Sequence, residues 1–129
     1  VYKRQAQVGL HGKPEVTAAW SRVPIADDPV KKSNTRGMVT FAMKSSPNSR
    51  TAQFFINYGD NSYLDKSGFA PIGKVVDGMK VADSLYPEYG EGAPRGTGPS
   101  QGRLTQEGNA YLKTEFPQLD YIVRATIVE

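Results

Sequence analysis

The fold is decided by the segment Gly37–Leu64, which reads G-M-V-T-F-A-M-K-S-S-P-N-S-R-T-A-Q-F-F-I-N-Y-G-D-N-S-Y-L. It holds two apolar runs, Met38–Met43 and Gln53–Tyr58, which are rich in β-branched and aromatic residues. A polar segment, Lys44–Thr51, lies between them. Apolar runs of this length, bounded by Pro, Asn, Gly and Ser, are typical of strands rather than helices. We therefore predict two neighbouring strands.

The second run predicts a sheet face of mixed chemistry. Side chains of a strand alternate between faces, so Gln53, Phe55 and Asn57 share one face. Phe54 and Ile56 share the other face, and we expect that face to belong to the core. An amide beside an aromatic ring, as at Gln53 and Phe55, suits a site that holds both a peptide backbone and an apolar ring.

The flanking sequence predicts further strands and helices. Pro71 confines the early part of the next strand to a sheet edge or an irregular start. Strands separated by turns, with few helices, favour a closed antiparallel β-barrel capped by helices. The further elements are a helix at Lys13–Trp20, a strand at Phe69–Val76, a helix at Asp77–Tyr86, a loop at Gly90–Gly102, a helix at Thr105–Phe116 and a strand at Leu119–Val128.

Composition indicates one domain and excludes several kinds of chemistry. The chain has 129 residues, no cysteine and a net charge of +3. Without cysteine there is no disulfide or thiol chemistry, which fits either cytoplasm or periplasm. The positive charge is scattered, as on a solvated surface, so we expect no nucleic-acid binding. His11 is the sole histidine and lacks partners at metal-ligand or nucleophile spacing, so we expect neither a metal site nor a general base there.

Longer stretches of the chain carry a family resemblance. Phe41–Asn57 reads F-A-M-K-S-S-P-N-S-R-T-A-Q-F-F-I-N, and it is followed by Tyr63–Asp65 and by Phe69–Met79. In this order the stretches resemble the cyclophilin family of peptidyl-prolyl isomerases, and the resemblance extends over Ala6–Glu129. The tail, which contains G-N-A-Y-L and F-P-Q-L-D, resembles a bacterial-type branch.

The resemblance implies a fold and an activity. The fold is the eight-stranded cyclophilin barrel with two capping helices, and the activity is cis–trans rotation about X-Pro peptide bonds, which assists protein folding. Neither a cofactor nor a metal is implied. The implied partners are proline-containing peptides and unfolded proteins, bound by a monomer that contacts neither nucleic acid nor membrane. Cyclosporin-like ligands would bind more weakly, because Tyr63 stands where many members have Trp.

The resemblance also implies three catalytic positions and a pocket wall. Phe55 matches the phenylalanine of the pocket floor, and Gln53 matches the glutamine that grips the substrate backbone. Gln7 matches the glutamine beside the family's catalytic arginine, and Leu64 matches the leucine of the pocket wall. Plain core packing is the alternative for Phe55 and Leu64.

Five further positions belong to the implied substrate site, and three of them depart from what is common in the family. Met43, Lys44 and Ser45 match the segment that pairs with the substrate backbone, although Lys44 replaces a common Asn. Tyr63 and Phe69 stand where many members have Trp and His. Both keep an aromatic wall, and Phe69 loses a hydrogen-bond donor.

The first residues, Val1–Gln5, do not match the family. They resemble a translated transposon-based sequencing adapter, so we expect residues 1–5 to be non-native; a natural charged N-terminus is the alternative. Residues 6–129 would then be a partial cyclophilin domain without its N-terminal strands and first helix, and any signal peptide would lie upstream, which leaves the compartment open. An incomplete barrel exposes unpaired strand edges.

The family's catalytic arginine lies in a Phe-X-Arg strand ahead of the position of Gln7, and no residue here can be assigned to it. We therefore expect the fragment to be inactive, with Arg4 or Arg50 as the first candidates if it is active. The leading function is a peptidyl-prolyl isomerase. A non-catalytic proline-peptide binding module on the same fold is the alternative, and an RNA-associated protein is supported only by net charge.

Overall fold

Four short strands form one antiparallel sheet in the order β1-β3-β2-β4. The structure is a computed structural model that describes residues 4–129. The expected non-native segment therefore lies partly outside the described residues, at positions 1–3. Both strands predicted within the segment 37–64 are present, and they pair with each other. The strands are β1 (Gln5–Val8), β2 (Met38–Phe41), β3 (Phe54–Asn57) and β4 (Pro71–Lys74).

The remaining elements are short helices. The first, predicted at Lys13–Trp20, begins at Pro14, because proline lacks the N–H that a first helical residue would leave unpaired. No helix among residues 4–129 is long and apolar enough to cross a membrane. The helices are α1 (Pro14–Trp20), a 3₁₀ helix (Ser62–Ser67), α2 (Met79–Asp83), α3 (Gln101–Glu107) and α4 (Asn109–Glu115).

The pairing of β3 with its two neighbours brings distant residues onto one face. In the register of β1 with β3, Gln7 lies opposite Phe55. In the register of β2 with β3, Thr40 lies opposite the same Phe55. Directly paired residues of antiparallel strands point to the same side of the sheet. Gln7, Phe55 and Thr40 therefore share one face, which we call the Phe55 face.

The prediction that Phe54 and Ile56 form the core face is wrong. Both are only half-buried, whereas Phe55 is 1% exposed and Asn57 is 0% exposed. The reason is that residues 33–36 and the segment 61–70 hydrogen-bond over the Phe55 face. Ala6, which pairs with Ile56, instead lines an open groove of about 1710 Å³.

The strand predicted at Leu119–Val128 is also wrong. Residues 121–129 form no helix or strand, and the side chains of Val123 and Ile127 are 86% and 97% exposed. None of the four described strands pairs with this segment, so its alternating pattern has no hydrogen-bonding partner. Among the described residues the sheet is open and does not close into a barrel. Its edges are β1 and β4, and β4 carries Pro71 at an irregular position, as predicted.

Glycines set the helix boundaries that differ from prediction. The helix expected from Asp77 begins at Met79, after Gly78, whose φ of 83° lies in the left-handed region. The single helix expected at Thr105–Phe116 is two helices, because Gly108 with φ 59° separates α3 from α4. A positive φ is incompatible with helix continuation and favours glycine.

Asn34 is the centre of a buried polar network. Its side chain is 0% exposed. Its Nδ2 donates to Asp65 Oδ1 at 2.7 Å and to the carbonyl of Phe69 at 2.8 Å. Its Oδ1 accepts from Thr40 Oγ1 at 2.7 Å and from Asn57 Nδ2 at 3.4 Å. One side chain thus connects two strands of the sheet to the segment that contains the 3₁₀ helix.

Asn61 and Asp65 complete the network from the side of the 3₁₀ helix. Asn61 Nδ2 donates to Asn57 Oδ1 at 2.8 Å, and the Asn61 amide donates to the carbonyl of Asn34 at 2.8 Å. The Asp65 carboxylate also accepts from Ser33 Oγ. Buried polar groups that are satisfied in this way fix one relative placement of the segments they join.

Replacing Asn34 by alanine should destabilise the fold strongly. The change leaves Thr40 Oγ1 and the Phe69 carbonyl without the Asn34 side chain as partner and removes one of several hydrogen bonds to Asp65. We expect a loss of about 2–4 kcal/mol in the free energy of unfolding. Denaturant unfolding of Asn34→Ala measures it. Asn109→Ala, at an exposed asparagine, is the control. Equal unfolding free energies for the two variants would contradict the role given to the network.

The network should also respond to acid. The Ser33 hydrogen bond, aided by those from Asn34 and opposed by desolvation, lowers the pKa of Asp65 from the ordinary 3.8. A lowered folded-state pKa stabilises the fold above the unfolded-state value, and this stability is lost as pH falls through the folded value. We expect the parent to lose more unfolding free energy than Asp65→Asn between about pH 5 and pH 2. The control is Asp77→Asn, at an exposed aspartate, which should lose as much unfolding free energy as the parent. Parallel pH profiles of unfolding free energy for the parent and Asp65→Asn would refute the role given to Asp65.

Candidate functional site

Two predicted catalytic residues contact each other directly. Gln7 Nε2 donates a hydrogen bond to Gln53 Oε1 at 2.9 Å. Gln7 belongs to β1, and Gln53 immediately precedes β3, where its carbonyl accepts from the amide of Ala42 at 2.9 Å. The sheet therefore holds the backbones of both glutamines, and we call Gln7 and Gln53 the amide pair.

Gly9 allows the two backbones of the amide pair to lie this close. Its φ is 115°, in the region that favours glycine. A Cβ at this position would lie 2.3 Å from the carbonyl oxygen of Ala52 and 2.7 Å from the Cα of Gln53. A residue with a side chain would force the end of β1 away from Gln53. The glycine thus contributes to the geometry of the amide pair.

Two further predicted residues form an aromatic pair. The rings of Phe55 and Phe69 meet edge to face, with centroids 6.0 Å apart and an interplanar angle of 61°. This is a favourable geometry for two rings. Phe55 is buried and Phe69 is half-buried, so the ring of Phe69 is the more accessible of the two. The predicted pocket floor is therefore covered in this structure.

Tyr63 and Leu64 lie on the 3₁₀ helix. Tyr63 is 53% exposed and lines the same open groove as Gln7 and Gln53. Leu64 is half-buried, and its carbonyl accepts from the amide of Phe69 at 3.3 Å. The 3₁₀ helix thus brings an exposed aromatic residue to the groove that the amide pair borders.

The predicted backbone-pairing segment, residues 43–45, follows the end of β2. Met43 is half-buried, and its Cε lies 3.5 Å from the place a Cβ on Gly68 would occupy. Lys44 and Ser45 are exposed. The Lys44 amide donates to Ser49 Oγ at 2.9 Å, so this N–H is used within its own loop. The structure brings Met43, but not the other two, towards the segment that contains the 3₁₀ helix.

Arg50, one of the two arginines considered for a catalytic role, is committed elsewhere. Its side chain is 3% exposed. Its Nη2 donates to the carbonyl of Ala26 and to Asp28 Oδ2, the latter at 3.0 Å, and its Nε lies 3.5 Å from Asp27 Oδ1. These contacts link the loop that contains Arg50 to the loop at residues 26–28. Arg4 is exposed and borders the groove just before β1.

The site consists of neutral hydrogen-bonding groups beside aromatic surface. The sole histidine, His11, accepts from the amide of Lys13 at 3.0 Å through Nδ1. Within residues 4–129 no group of three or more His, Cys, Asp and Glu side chains is placed to hold a metal ion. The amide pair can donate to and accept from a peptide backbone, and the neighbouring rings can contact an apolar side chain.

Two residues of the site were not predicted from the sequence. Gln101, at the start of α3, accepts from Gln53 Nε2 at 3.5 Å through its Oε1. Asn34 holds the segment that carries Tyr63, Leu64 and Phe69. Both act over separations of more than 30 residues, where neither a motif nor a periodicity marks the contact.

Comparison with known proteins agrees with this architecture. The family model for cyclophilin type peptidyl-prolyl cis-trans isomerase/CLD matches residues 3–99. A peptidyl-prolyl cis-trans isomerase of Acinetobacter baylyi is 48% identical over 56 residues, which are 40% of this chain and 30% of that protein. Peptidyl-prolyl cis-trans isomerase B of Escherichia coli is 44% identical over 59 residues, covering 40% and 36% of the two chains.

A eukaryotic relative shows the same similarity. The human peptidyl-prolyl cis-trans isomerase-like 3 is 43% identical over 54 residues, which are 42% of this chain and 32% of that protein. The matched part is about a third of the length of each of these relatives. Since the family model covers most of the chain, the open antiparallel sheet is that of a cyclophilin fold. The chain belongs to the family of cyclophilin-type peptidyl-prolyl cis-trans isomerases.

Proposed function

We propose that this chain carries the peptide-binding face of a peptidyl-prolyl cis-trans isomerase that acts on X-Pro bonds of unfolded or partly folded proteins. One observation supports the proposal above the others. In a chain of the cyclophilin family, the amide pair borders an open groove, and Gln7 lies opposite Phe55, whose ring contacts that of Phe69. Hydrogen-bonding and apolar groups are thus adjacent, as a peptide that contains proline requires.

The chemistry needs no nucleophile. An X-Pro bond rotates slowly because amide resonance keeps it planar, with a barrier of about 18–20 kcal/mol. The two isomers differ little in free energy, so both are substrates. An enzyme accelerates the rotation by binding the twisted amide more tightly than either planar form. Holding the flanking backbone while the prolyl bond turns is therefore the task of the protein.

In the proposed complex, the amide pair holds the substrate backbone. Gln53 Oε1 accepts from Gln7, and the Gln53 amide nitrogen, which donates one N–H to Gln101, has a second N–H for a peptide carbonyl. Phe69 and Leu64, supported by Phe55, would contact the proline ring, and Tyr63 would contact a residue that flanks it. This division places hydrogen bonds at the backbone and apolar contacts at the ring.

Selective stabilisation of the twisted state needs a donor at the proline nitrogen, whose lone pair becomes available as resonance is lost. Arg50 is unsuited to this role because its guanidinium is buried and bound to Asp28 and the Ala26 carbonyl. A non-catalytic peptide-binding module on the same fold is therefore the second candidate. The engagement of Arg50 and the burial of Phe55 favour it.

Removing the amide of Gln53 should weaken peptide binding. We expect Gln53→Met, which keeps the length of the side chain, to raise Kd for an Ala-Pro peptide about three- to tenfold, the effect of one lost hydrogen bond. NMR titration gives Kd, and exchange spectroscopy on the same samples gives the isomerisation rate. Gln106→Met, at an exposed position of α3, is the control.

The two candidate functions give different results in this experiment. Faster cis–trans exchange by the parent, lowered in Gln53→Met, supports the isomerase. Peptide binding without faster exchange supports the binding module. An unchanged Kd in a folded Gln53→Met variant would reject the assignment of the amide pair to substrate.

Tyr63 should set substrate tolerance rather than rate. It is exposed, and an aromatic residue at the groove can stack on a flanking side chain without touching the twisting amide. We expect Tyr63→Ala to raise KM about two- to tenfold for peptides with an aromatic residue next to proline, with kcat unchanged. Steady-state kinetics on a panel of proline peptides measures it, with Val76→Ala, at an exposed apolar residue that does not line the groove, as the control. Loss of kcat on every peptide would contradict this division of roles.

A further inference from the structure

Four glutamine side chains lie in one row beside the candidate site, and the first is Gln5, whose Nε2 donates to Gln7 Oε1 at 3.4 Å. Gln7 Nε2 donates to Gln53 Oε1 at 2.9 Å, and Gln53 Nε2 donates to Gln101 Oε1 at 3.5 Å. Gln7 and Gln53 therefore each accept from the glutamine before them in the row and donate to the one after them. The row has a single direction, from β1 through the start of β3 to α3.

A close backbone contact places α3 and α4 beside the strand end that carries Gln7. The amide of Asn109 donates to the carbonyl of Gly12 at 2.8 Å. A Cβ on Gly108 would lie 2.2 Å from that same carbonyl oxygen, and a Cβ on Gly12 would lie 2.3 Å from the Asn109 side chain. Gly108 is therefore required at the contact, because the group it approaches is backbone and its own φ is 59°. The loop after β1 and the junction of α3 with α4 are held together.

A second set of contacts fixes the start of α3, where Gln101 lies. Ser100 is the N-cap of α3, and its amide donates to the hydroxyl of the buried Tyr111 at 3.1 Å. The Arg103 guanidinium lies 4.0 Å from the Tyr111 ring centroid. It also pairs with Glu107 at 2.8 Å and with Glu115 at 2.8 Å. Gln101 thus projects from a helix that is anchored at both ends.

We propose that Gln101 is a positioning residue that sets the direction of the Gln53 amide, so that Gln53 presents an N–H to the substrate. This inference rests on the proposed function. An amide nitrogen carries two N–H groups, so Gln53 can donate to Gln101 and to a peptide carbonyl at once. If the amide were turned over, its oxygen would face the peptide carbonyl, and two acceptors would meet. The family model ends at residue 99, so α3 lies beyond the matched segment.

A pair of substitutions at Gln101 tests whether this residue sets the orientation of the Gln53 amide or only packs against it. A carboxylate only accepts hydrogen bonds, so Gln101→Glu keeps the direction of the row. An ammonium group only donates, so Gln101→Lys favours the reversed Gln53 amide. The matched controls are Gln106→Glu and Gln106→Lys, which make the same changes of charge at an exposed position of the same helix.

The experiment measures Kd and KM for an uncharged Ala-Pro peptide with the full 129-residue chain. We expect Gln101→Lys to raise both about fivefold relative to Gln101→Glu, because one hydrogen bond to the substrate is lost, with kcat unchanged. The Gln106 pair should differ by less than about twofold, as is usual for an exposed charge. If the role of Gln101 were purely structural, Gln101→Glu and Gln101→Lys would give the same Kd and KM.

A measurement on the peptide-free parent makes the test independent of whether the variants fold. A nuclear Overhauser effect between the Gln53 side-chain amide protons and the Gln101 side chain is expected, and its absence overturns the inference. Equal peptide affinities for Gln101→Glu and Gln101→Lys, in a parent that binds and isomerises the peptide, also overturn it while leaving the proposed function intact. A parent that does not bind the peptide overturns the proposed function itself.

Discussion

The side chain of Asn34 is buried and makes hydrogen bonds to three separate parts of the chain. It donates to Asp65 and to the carbonyl of Phe69, and it accepts from Thr40 in β2 and from Asn57 in β3. Few large apolar side chains are fully buried among the described residues, so the sheet and the segment 61–70 are joined by polar contacts as well as by the contact of Phe55 with Phe69. A buried polar group is costly when it is unpaired, so only one relative placement of these parts satisfies all of them.

The candidate site is a consequence of that placement together with the strand register. The network holds the 3₁₀ helix, and with it Tyr63, near the sheet edge, while the pairing of β1 with β3 places Gln7 opposite Phe55. Gly9 then lets the two backbones of the amide pair approach. Hydrogen-bonding groups and aromatic rings are thereby brought close together, with Gln7 and Phe55 on strands and Tyr63 on the 3₁₀ helix. A site for a peptide backbone and an apolar ring requires such support.

Local pattern was enough to predict the two central strands, because alternation and strand-forming residues act over a few positions. It could not predict which face is buried, since Phe55 is covered by Asn34 and Phe69, which lie far from β3 in sequence. The alternation at residues 119–128 was real, but a strand also needs a neighbour to pair with. The resemblance to the family identified both members of the amide pair, which lie 46 residues apart in sequence. Nothing in the sequence indicated Gln101.

The central claim is that the amide pair and the neighbouring aromatic residues bind peptides through proline. The most direct test follows the side-chain amide resonances of the glutamines in ¹⁵N-labelled protein while a proline peptide, or the same peptide with alanine for proline, is added. The account predicts saturable shifts at Gln7, Gln53 and the backbone of Tyr63 with the proline peptide, and much weaker shifts with the alanine peptide. Equal shifts with the two peptides, or shifts confined to residues away from the amide pair, would contradict it.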